Sequence, residues 1–158
     1  MIAVRRYRPE DRIACAGVFH RAVHEGAAGH YDAAQRQDWA PSALPDPSRP
    51  DKLLHQSAWV AEEGGRITGF MSLMPDGCLD MAFVLPEVMG KGHAAALYDV
   101  LLAHARAAGM TRLTVQASEY SRRFLSRRGW RLDGMERLTR PGGVEFDRAQ
   151  MSLDLTPC

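Results

Sequence analysis

The sequence predicts one α+β domain, residues 1–158, in which helices cover a mixed sheet. Apolar runs separated by Gly64-Gly65 and by Asp76-Gly77 predict three successive antiparallel strands, because these dipeptides favour tight hairpin turns. The third strand leads through a glycine-rich turn into a long amphipathic helix, and a further strand, a helix and a terminal hairpin follow. The predicted order of elements is therefore β-α-α-β-β-β-α-β-α-β-β.

The N-terminal elements are a strand over 2–7 and two helices. A proline and two acidic residues suit the first turn of the first helix, at 9–26, since a missing N–H and a negative charge are well tolerated there. The second helix is predicted over 32–39, where Asp32 is the N-cap and Gln35 takes the capping-box position.

The remaining elements follow a proline-rich loop at 40–51. Strands are expected at 58–62, 67–74, 78–85, 112–117, 130–138 and 144–155, and helices at 51–56 (a brief one), 92–108 and 120–128. In the longest helix, Leu97, either Val100 or Leu101, and Ala105 fall on one stripe, which predicts the face that packs on the sheet.

Composition limits the class of protein. A net charge of +1, from 20 basic and 19 acidic residues, argues against a nucleic-acid partner, and the arginines of 122–131 fit a solvated helix face. Because the chain has no apolar run long enough for a membrane span or a signal peptide, we expect a cytoplasmic protein with no membrane partner. Cys15, Cys78 and Cys158 lack metal-ligand spacing and are expected as reduced thiols.

One histidine pair has the spacing of a possible metal site. His20 and His24 lie one helical turn apart, a spacing that can bind a metal. Neither the glutamate of an HExxH motif nor an obvious third ligand accompanies them. The sequence therefore predicts no metal.

The glycine turn between the strand at 78–85 and the helix at 92–108 is the strongest candidate for a binding site. The start of a helix leaves backbone N–H groups unpaired, and together with the helix dipole they favour a phosphate. A P-loop is excluded because Lys91 is followed by Gly92 and His93. A GxGxxG dinucleotide fingerprint is excluded because the third glycine is missing and the preceding strands form an antiparallel meander.

Two segments, FVLPEVMGKGHAAALY at 83–98 and ASEYSRRFLSRRGW at 117–130, resemble motifs of the GNAT (Gcn-related N-acetyltransferase) superfamily. The first is similar to the acyl-CoA-binding pattern Q/R-x-x-G-x-G/A, with Met89 where the family usually has Gln or Arg. The resemblance implies the GNAT fold, a mostly antiparallel sheet of about seven strands with a splayed parallel pair, flanked by about four helices.

The same resemblance implies acetyl-CoA as the acyl donor, with the backbone of the turn holding its pyrophosphate. A backbone N–H at or near Val84 would polarise the thioester carbonyl, and Ser118 would bond the pantetheine arm, cap a helix, or do both. The implied coenzyme-binding residues are Phe83, Val84, Met89, Gly90, Lys91, Gly92, His93, Ala94, Ser118 and Arg122.

Two side chains are candidates for proton transfer. Alternation puts Asp80 on the side of its strand that bears Ala82 and Val84, where family members often carry a carboxylate, so Asp80 is the expected base. The alternative is that Asp80 binds a cationic substrate. The family's usual tyrosine is replaced by Leu125, which makes the nearby Tyr120 the candidate acid; otherwise water or direct thiolate release must suffice.

The acceptor is expected to bind near the first two helices, with His24, His30, Tyr31 and Trp39 as candidate lining residues in an aromatic, partly acidic cleft. The implied function is acetyl-CoA-dependent acetylation of a primary amine on a small molecule or protein. The alternative is a non-catalytic acyl-CoA sensor or interaction module. Many relatives dimerise, so the resemblance leaves a homodimer open.

Overall fold

Seven strands form a single mixed sheet. They are β1 (Ala3–Arg6), β2 (Ser57–Glu63), β3 (Arg66–Leu73), β4 (Cys78–Val84), β5 (Arg112–Ala117), β6 (Arg131–Thr139) and β7 (Glu145–Asp154). Their order across the sheet is β1-β2-β3-β4-β5-β7-β6, and all neighbours are antiparallel except β4 and β5, which are parallel. The computed structural model describes residues 1–155, so the predicted thiol of Cys158 lies outside the described residues.

Four α-helices flank the sheet, and the predicted fold class is confirmed. They are α1 (Arg12–Arg21), α2 (Ala33–Trp39), α3 (His93–Ala107) and α4 (Glu119–Ser126). The predicted first helix is composite, because a 3-10 turn (Pro9–Asp11) precedes α1 and a π-turn (Ala22–Gly26) continues it. The brief helix expected at 51–56 is a 3-10 turn, Lys52–His55.

Local capping and the buried stripe of α3 follow the predictions. The Asp32 carboxylate accepts from the Gln35 N–H at 2.7 Å, and the Gln35 side chain accepts from the Asp32 N–H at 2.9 Å, which completes the capping box. Leu97, Leu101 and Ala105 are fully buried. Their four-residue spacing lays one side of α3 flat on the sheet.

Successive residues of β4 face opposite layers of helices. The Phe83 ring lies 4.9 Å from the ring of Phe19 in α1. The Val84 side chain points the other way, towards α3. This follows from Gly69 of β3, where an added Cβ would lie 2.7 Å from Val84 Cγ1 and 3.2 Å from Leu97 Cδ1 of α3, so both side chains lie on the same face of the sheet. The sheet is therefore covered on both faces, and β4 contributes side chains to both.

The sheet opens in the middle. β4 and β5 pair at two positions, Cys78 with Thr114 and Leu79 with Val115, and then diverge. β5 instead pairs with β7 along its whole length. The edge of β4 beyond Leu79 is thus left facing a gap, which positions the candidate site.

Two bulges interrupt the ladders, one between β2 and β3 and one between β3 and β4. The pairs Ala61–Gly69 and Glu62–Ile67 leave Thr68 without a partner, and the pairs Ser72–Met81 and Leu73–Leu79 leave Asp80 without one. An extra residue in a strand redirects side chains. One of the two bulges therefore falls at Asp80 itself, and Asp80 and Ala82 both line the cavity described below.

Within residues 1–155, the helices are too short or too polar to cross a membrane.

Candidate active site

A cavity of about 180 Å³ occupies the gap between β4 and β5. Its floor is formed by β4, β5 and β7, and its sides by α2 and the start of α4. Coenzyme-side residues such as Ser118 and Phe83 share it with aromatic and charged residues from the terminal hairpin. The cavity therefore joins the two regions that the sequence assigned separately to donor and acceptor.

The turn at 89–94, which we call the coenzyme turn, presents unpaired backbone donors. Gly90 and Gly92 have φ angles of 77° and 90°, a left-handed conformation that favours glycine. Within the described part of the chain, the N–H groups of Gly90, Gly92, His93 and Ala94 donate no hydrogen bond to the protein. Such an array at the positive end of α3 can bind a phosphate.

The side chain of His93 points away from this array into the protein. It is 2% exposed, and its Nδ1 lies 2.8 Å from Thr68 Oγ1 at the β3 bulge. Its Nε2 lies 3.6 Å from the Glu63 carboxylate. His93 can therefore serve a coenzyme through its backbone N–H, while its side chain fixes the first residue of α3.

Other side chains near the turn are arranged differently. Met89 is 45% exposed and Lys91 is exposed, so Lys91 can reach solvent-facing phosphates. Ser118 is the N-cap residue of α4 but makes no side-chain cap bond, and it lines the cavity. Arg122 pairs with Glu119 at 3.4 Å on the surface of α4 and does not line the cavity.

Tyr120 lies against the edge of β4 at Val84. Its hydroxyl donates to the Val84 carbonyl at 3.3 Å and accepts from the Val84 N–H at 3.5 Å. Its ring stacks on Phe83, with centroids 5.9 Å apart. Burial raises the pKa of the Tyr120 phenol, against the smaller opposing effect of the Val84 N–H, so the phenol keeps its proton.

Asp80 lines the cavity from the bulge of β4. Its Oδ2 accepts from Gln56 Nε2 at 3.0 Å and lies 3.0 Å from Lys52 Nζ. Among the described residues no hydrogen-bond partner is found for Oδ1. One carboxylate oxygen is thus held in place while the other is open to a ligand.

The structure separates the four residues predicted to bind the acceptor. Tyr31 and Trp39 line the cavity, and their rings pack 5.5 Å apart. His24 does not line it, because its ring bonds the Ala40 carbonyl at 2.7 Å. His30 is exposed outside it.

Tyr31 also links the acceptor side to the coenzyme side. Its hydroxyl accepts from the Glu119 N–H at 2.7 Å, which satisfies a donor at the first turn of α4. Burial raises the pKa of Tyr31. Its phenol therefore acts as a neutral support for α4, and its ring remains available to a ligand.

Sequence reasoning missed the contribution of the terminal hairpin. Phe146 and Arg148 of β7 line the cavity together with Arg140, which follows β6. A signal was present, since alternation over 144–155 places Phe146 and Arg148 on one face. The position of that face opposite α2 depends on the order of β5, β7 and β6, which local patterns do not specify.

Comparison with known proteins identifies the class. The chain matches the family model of the acetyltransferase (GNAT) domain over residues 30–152. It belongs to the GNAT acetyltransferase family and is an acyltransferase of that type. No curated protein matches the sequence.

Solved structures share the fold over nearly the whole chain. The GCN5-related N-acetyltransferase "Aminotransferase, Class-II" from Rhodopseudomonas palustris is 29% identical, with a TM-score of 0.90, covering 97% of this chain and 95% of that one. The PaiA N-acetyltransferase from Thermoplasma acidophilum, in complex with coenzyme A, is 14% identical, with a TM-score of 0.74 and coverage of 98% and 99%. YncA, a putative acetyltransferase from Salmonella typhimurium with its cofactor acetyl-CoA, is 22% identical, with a TM-score of 0.69 and coverage of 99% and 95%.

Within residues 1–155, no group of three or more His, Cys, Asp or Glu side chains converges as metal ligands.

Proposed function

We propose that the protein transfers the acetyl group of acetyl-CoA directly to a primary amine. The observation that carries the proposal is the gap between β4 and β5, where Asp80 lines the cavity and the Tyr120 hydroxyl bonds the Val84 backbone at the edge of β4. The folds solved with coenzyme A and acetyl-CoA support the choice of donor. Acetyl-CoA would bring an activated thioester to that space.

The donor would be held by the coenzyme turn. The N–H groups of Gly90, Gly92, His93 and Ala94 would bind the pyrophosphate, and Lys91 would add a cation from the exposed side. Ser118 and Phe83 would contact the pantetheine arm within the gap, and Arg122 would remain a surface cation beside it. Glycine permits the close approach that backbone binding requires.

The acetyl end would lie where Tyr120 meets Val84. The Val84 N–H, which donates to the Tyr120 hydroxyl at 3.5 Å, would polarise the carbonyl oxygen when the thioester is bound. The protonated Tyr120 phenol would supply a proton to the departing sulfur. Asp80, with its open Oδ1, would accept a proton from the incoming amine directly or through water.

Paired glycine substitutions test the coenzyme turn. Gly90 (φ 77°) and Gly129 (φ 85°) are both left-handed, and a Cβ at either position meets no atom within 4 Å. Gly90→Ala and Gly129→Ala should therefore both lose about 1 kcal/mol of stability from backbone strain. Calorimetric titration with acetyl-CoA should show at least tenfold weaker binding for Gly90→Ala alone. Equal affinity of the two variants would contradict the assignment.

A second function, a non-catalytic acyl-CoA sensor, is favoured by one observation. Leu125, at the usual tyrosine position of the family, is fully buried and offers no proton. Release of free thiol from acetyl-CoA across a panel of amines separates the two functions. Coenzyme binding with no thiol release for any amine would support the sensor, whereas amine-dependent release supports the enzyme. The cytoplasmic location and the homodimer stay predictions.

A further inference from the structure

The part of the cavity formed by Tyr31, Trp39, Phe146, Arg140 and Arg148, which we call the acceptor end, combines an aromatic wall with two arginines. Trp39 packs on Phe146 with centroids 6.3 Å apart, and Tyr31 packs on Phe146 at 5.8 Å. Such a wall favours an apolar or aromatic group. The arginines distinguish this end from the partly acidic cleft that the sequence suggested.

The carboxylates around the acceptor end are already paired with cations. Asp38 pairs with Arg140, which removes the negative charge expected on α2. Asp147 lies 3.0 Å from Arg137 Nε. The surroundings therefore offer little unpaired negative charge to a polycationic acceptor.

Arg148 has donors to spare. One terminal nitrogen, Nη2, donates to Glu136, whose other oxygen accepts from Gln150 Nε2 at 2.8 Å. Among the described residues, neither Nη1 nor Nε of Arg148 finds an acceptor, and Nε is excluded from solvent. Because a guanidinium matches a carboxylate in geometry and charge, this wall can take an anionic group.

The same cavity also holds a carboxylate oxygen without a protein partner among the described residues. Asp80 keeps Oδ1 open, while Lys52 and Gln56 fix Oδ2. A carboxylate oxygen of this kind accepts a hydrogen bond from an amine. One cavity thus offers an acceptor for an amine, an aromatic wall, and a donor for an anion.

We infer that the acceptor is a small amine that also carries a carboxylate, with an apolar or aromatic body: an amino-acid-type acceptor. Its carboxylate binds Arg148, its body packs on Trp39 and Phe146, and its amine lies towards Asp80. The volume of about 180 Å³ suits a small molecule, since a cavity of about 150 Å³ takes one the size of benzene. This inference rests on the proposed function.

The transfer itself is balanced. The ammonium loses a proton, and its nitrogen forms a bond to the carbonyl carbon as the carbon–sulfur bond breaks. The ammonium thus loses two protons in all. One is balanced by the proton that the coenzyme sulfur takes up, and the other is released to solvent. The products are an N-acetyl amino acid and free coenzyme A, and the acceptor changes from a zwitterion into an anion.

Matched acceptors test the inference. L-phenylalanine, L-leucine and L-methionine are compared with the amines that lack only their carboxylate, with L-phenylalanine methyl ester, and with spermidine, by thiol release from acetyl-CoA. At least one amino acid should have a kcat/KM at least ten times that of its decarboxylated partner and that of spermidine. L-phenylalanine should exceed its methyl ester by the same factor if it is the preferred amino acid. Equal or faster acetylation of the decarboxylated amines or of spermidine would overturn the inference and leave the proposed function standing. Coenzyme binding with no acetylation of any compound would overturn both.

Two variants of opposite expected sign test the role of Arg148. Arg148→Gln should raise KM for the preferred amino acid at least tenfold and change KM for its decarboxylated partner less than twofold. Glu136→Gln releases Arg148 and should lower KM for the amino acid. Arg131→Gln, which removes an exposed arginine bonded to Asp154 outside the cavity, is the matched control and should change neither constant. If Arg148→Gln fails to fold, an unchanged or raised KM in Glu136→Gln still overturns the inference.

Discussion

At the scale of single residues, the site depends on which atoms are already bonded. The sequence predicts Asp80 as the base from its place on the strand that bears Val84, and Tyr120 as the acid from its place near Leu125. The structure adds that the Tyr120 hydroxyl bonds both backbone groups of Val84, and that Asp80 has one fixed oxygen and one open oxygen. These contacts support different roles for the two side chains, Tyr120 as the acid and Asp80 as the base, and each role can be tested separately.

Tyr120→Phe tests the proposed acid. Removing the hydroxyl should lower kcat about 100-fold, within the range for general acid catalysis, while the dissociation constant for acetyl-CoA changes less than twofold. Since burial raises the Tyr120 pKa above its ordinary value of 10.0, loss of this proton should not reduce wild-type kcat until pH exceeds that value. Steady-state kinetics from pH 6 to 10 measure both effects.

Tyr98→Phe is the control for this experiment, because its buried hydroxyl accepts from Trp130 Nε1 at 2.9 Å, whereas the Tyr120 hydroxyl bonds the Val84 backbone. It should leave kcat unchanged. Equal kcat values for Tyr120→Phe and the wild type would assign proton delivery to water.

Asp80→Asn tests the proposed base. The amide keeps the shape of the side chain and can still accept one hydrogen bond, but it cannot take a proton from the amine. We expect kcat/KM for the amine to fall about 100-fold with coenzyme affinity nearly intact. Rate measurements across pH decide the matter: identical profiles for variant and wild type would remove Asp80 from this role.

At the scale of elements, features that depend on residues close in sequence could be predicted, whereas features that depend on pairing with another strand could not. The capping box of α2 was readable because Asp32 and Gln35 are three residues apart in the sequence. The bulges at Thr68 and Asp80 were not, because each depends on the register of a neighbouring strand. For the same reason, the hairpin that supplies Arg148 was not connected with the acceptor.

The β3 bulge links the sheet to the start of α3. Thr68 Oγ1 donates to the Ala61 carbonyl at 3.3 Å and lies 2.8 Å from His93 Nδ1. Thr68→Val should leave both partners unpaired in a buried place and cost about 1–3 kcal/mol in urea unfolding. It should also weaken acetyl-CoA binding, since His93 contributes a backbone N–H to the coenzyme turn.

Thr68→Ser is the matched control, because it retains the hydroxyl and removes one methyl group. It should bind acetyl-CoA as the wild type does. If Thr68→Val binds acetyl-CoA equally well, the coenzyme turn does not depend on this contact.

At the scale of the whole molecule, a buried ion cluster ties the N-terminal segment to the sheet. Asp11 is 4% exposed and accepts from Arg5 at 2.8 and 2.9 Å and from the Arg8 N–H at 2.8 Å. Arg5 also bonds Glu62 of β2 at 2.7 Å. The hydrogen bonds from Arg5 are the largest influence on Asp11 and hold its pKa below the ordinary value of 3.8, although burial opposes them.

This cluster predicts the acid sensitivity of the fold. Because folding lowers the Asp11 pKa, its contribution is complete above the unfolded-state value near 3.8 and is lost as pH falls through the lower folded-state value. Asp11→Asn should cost about 3 kcal/mol at pH 7, since it leaves Arg5 without its main partner. Urea unfolding at pH 7 and pH 3 should show a smaller difference between variant and wild type at the lower pH.

The two-position contact between β4 and β5 has a consequence for cooperativity. Strands β1 to β4 come from one continuous stretch of chain and strands β5 to β7 from another, so each half of the sheet is assembled from near neighbours in sequence. Backbone hydrogen bonding joins the halves at Cys78–Thr114 and Leu79–Val115. A coenzyme lying in the gap would contact both halves, and its binding energy would add to the free energy of separating them. The acetyl donor would then also act as a structural cross-link between the two halves. Binding of the coenzyme should therefore slow amide hydrogen exchange along the facing edges of both halves.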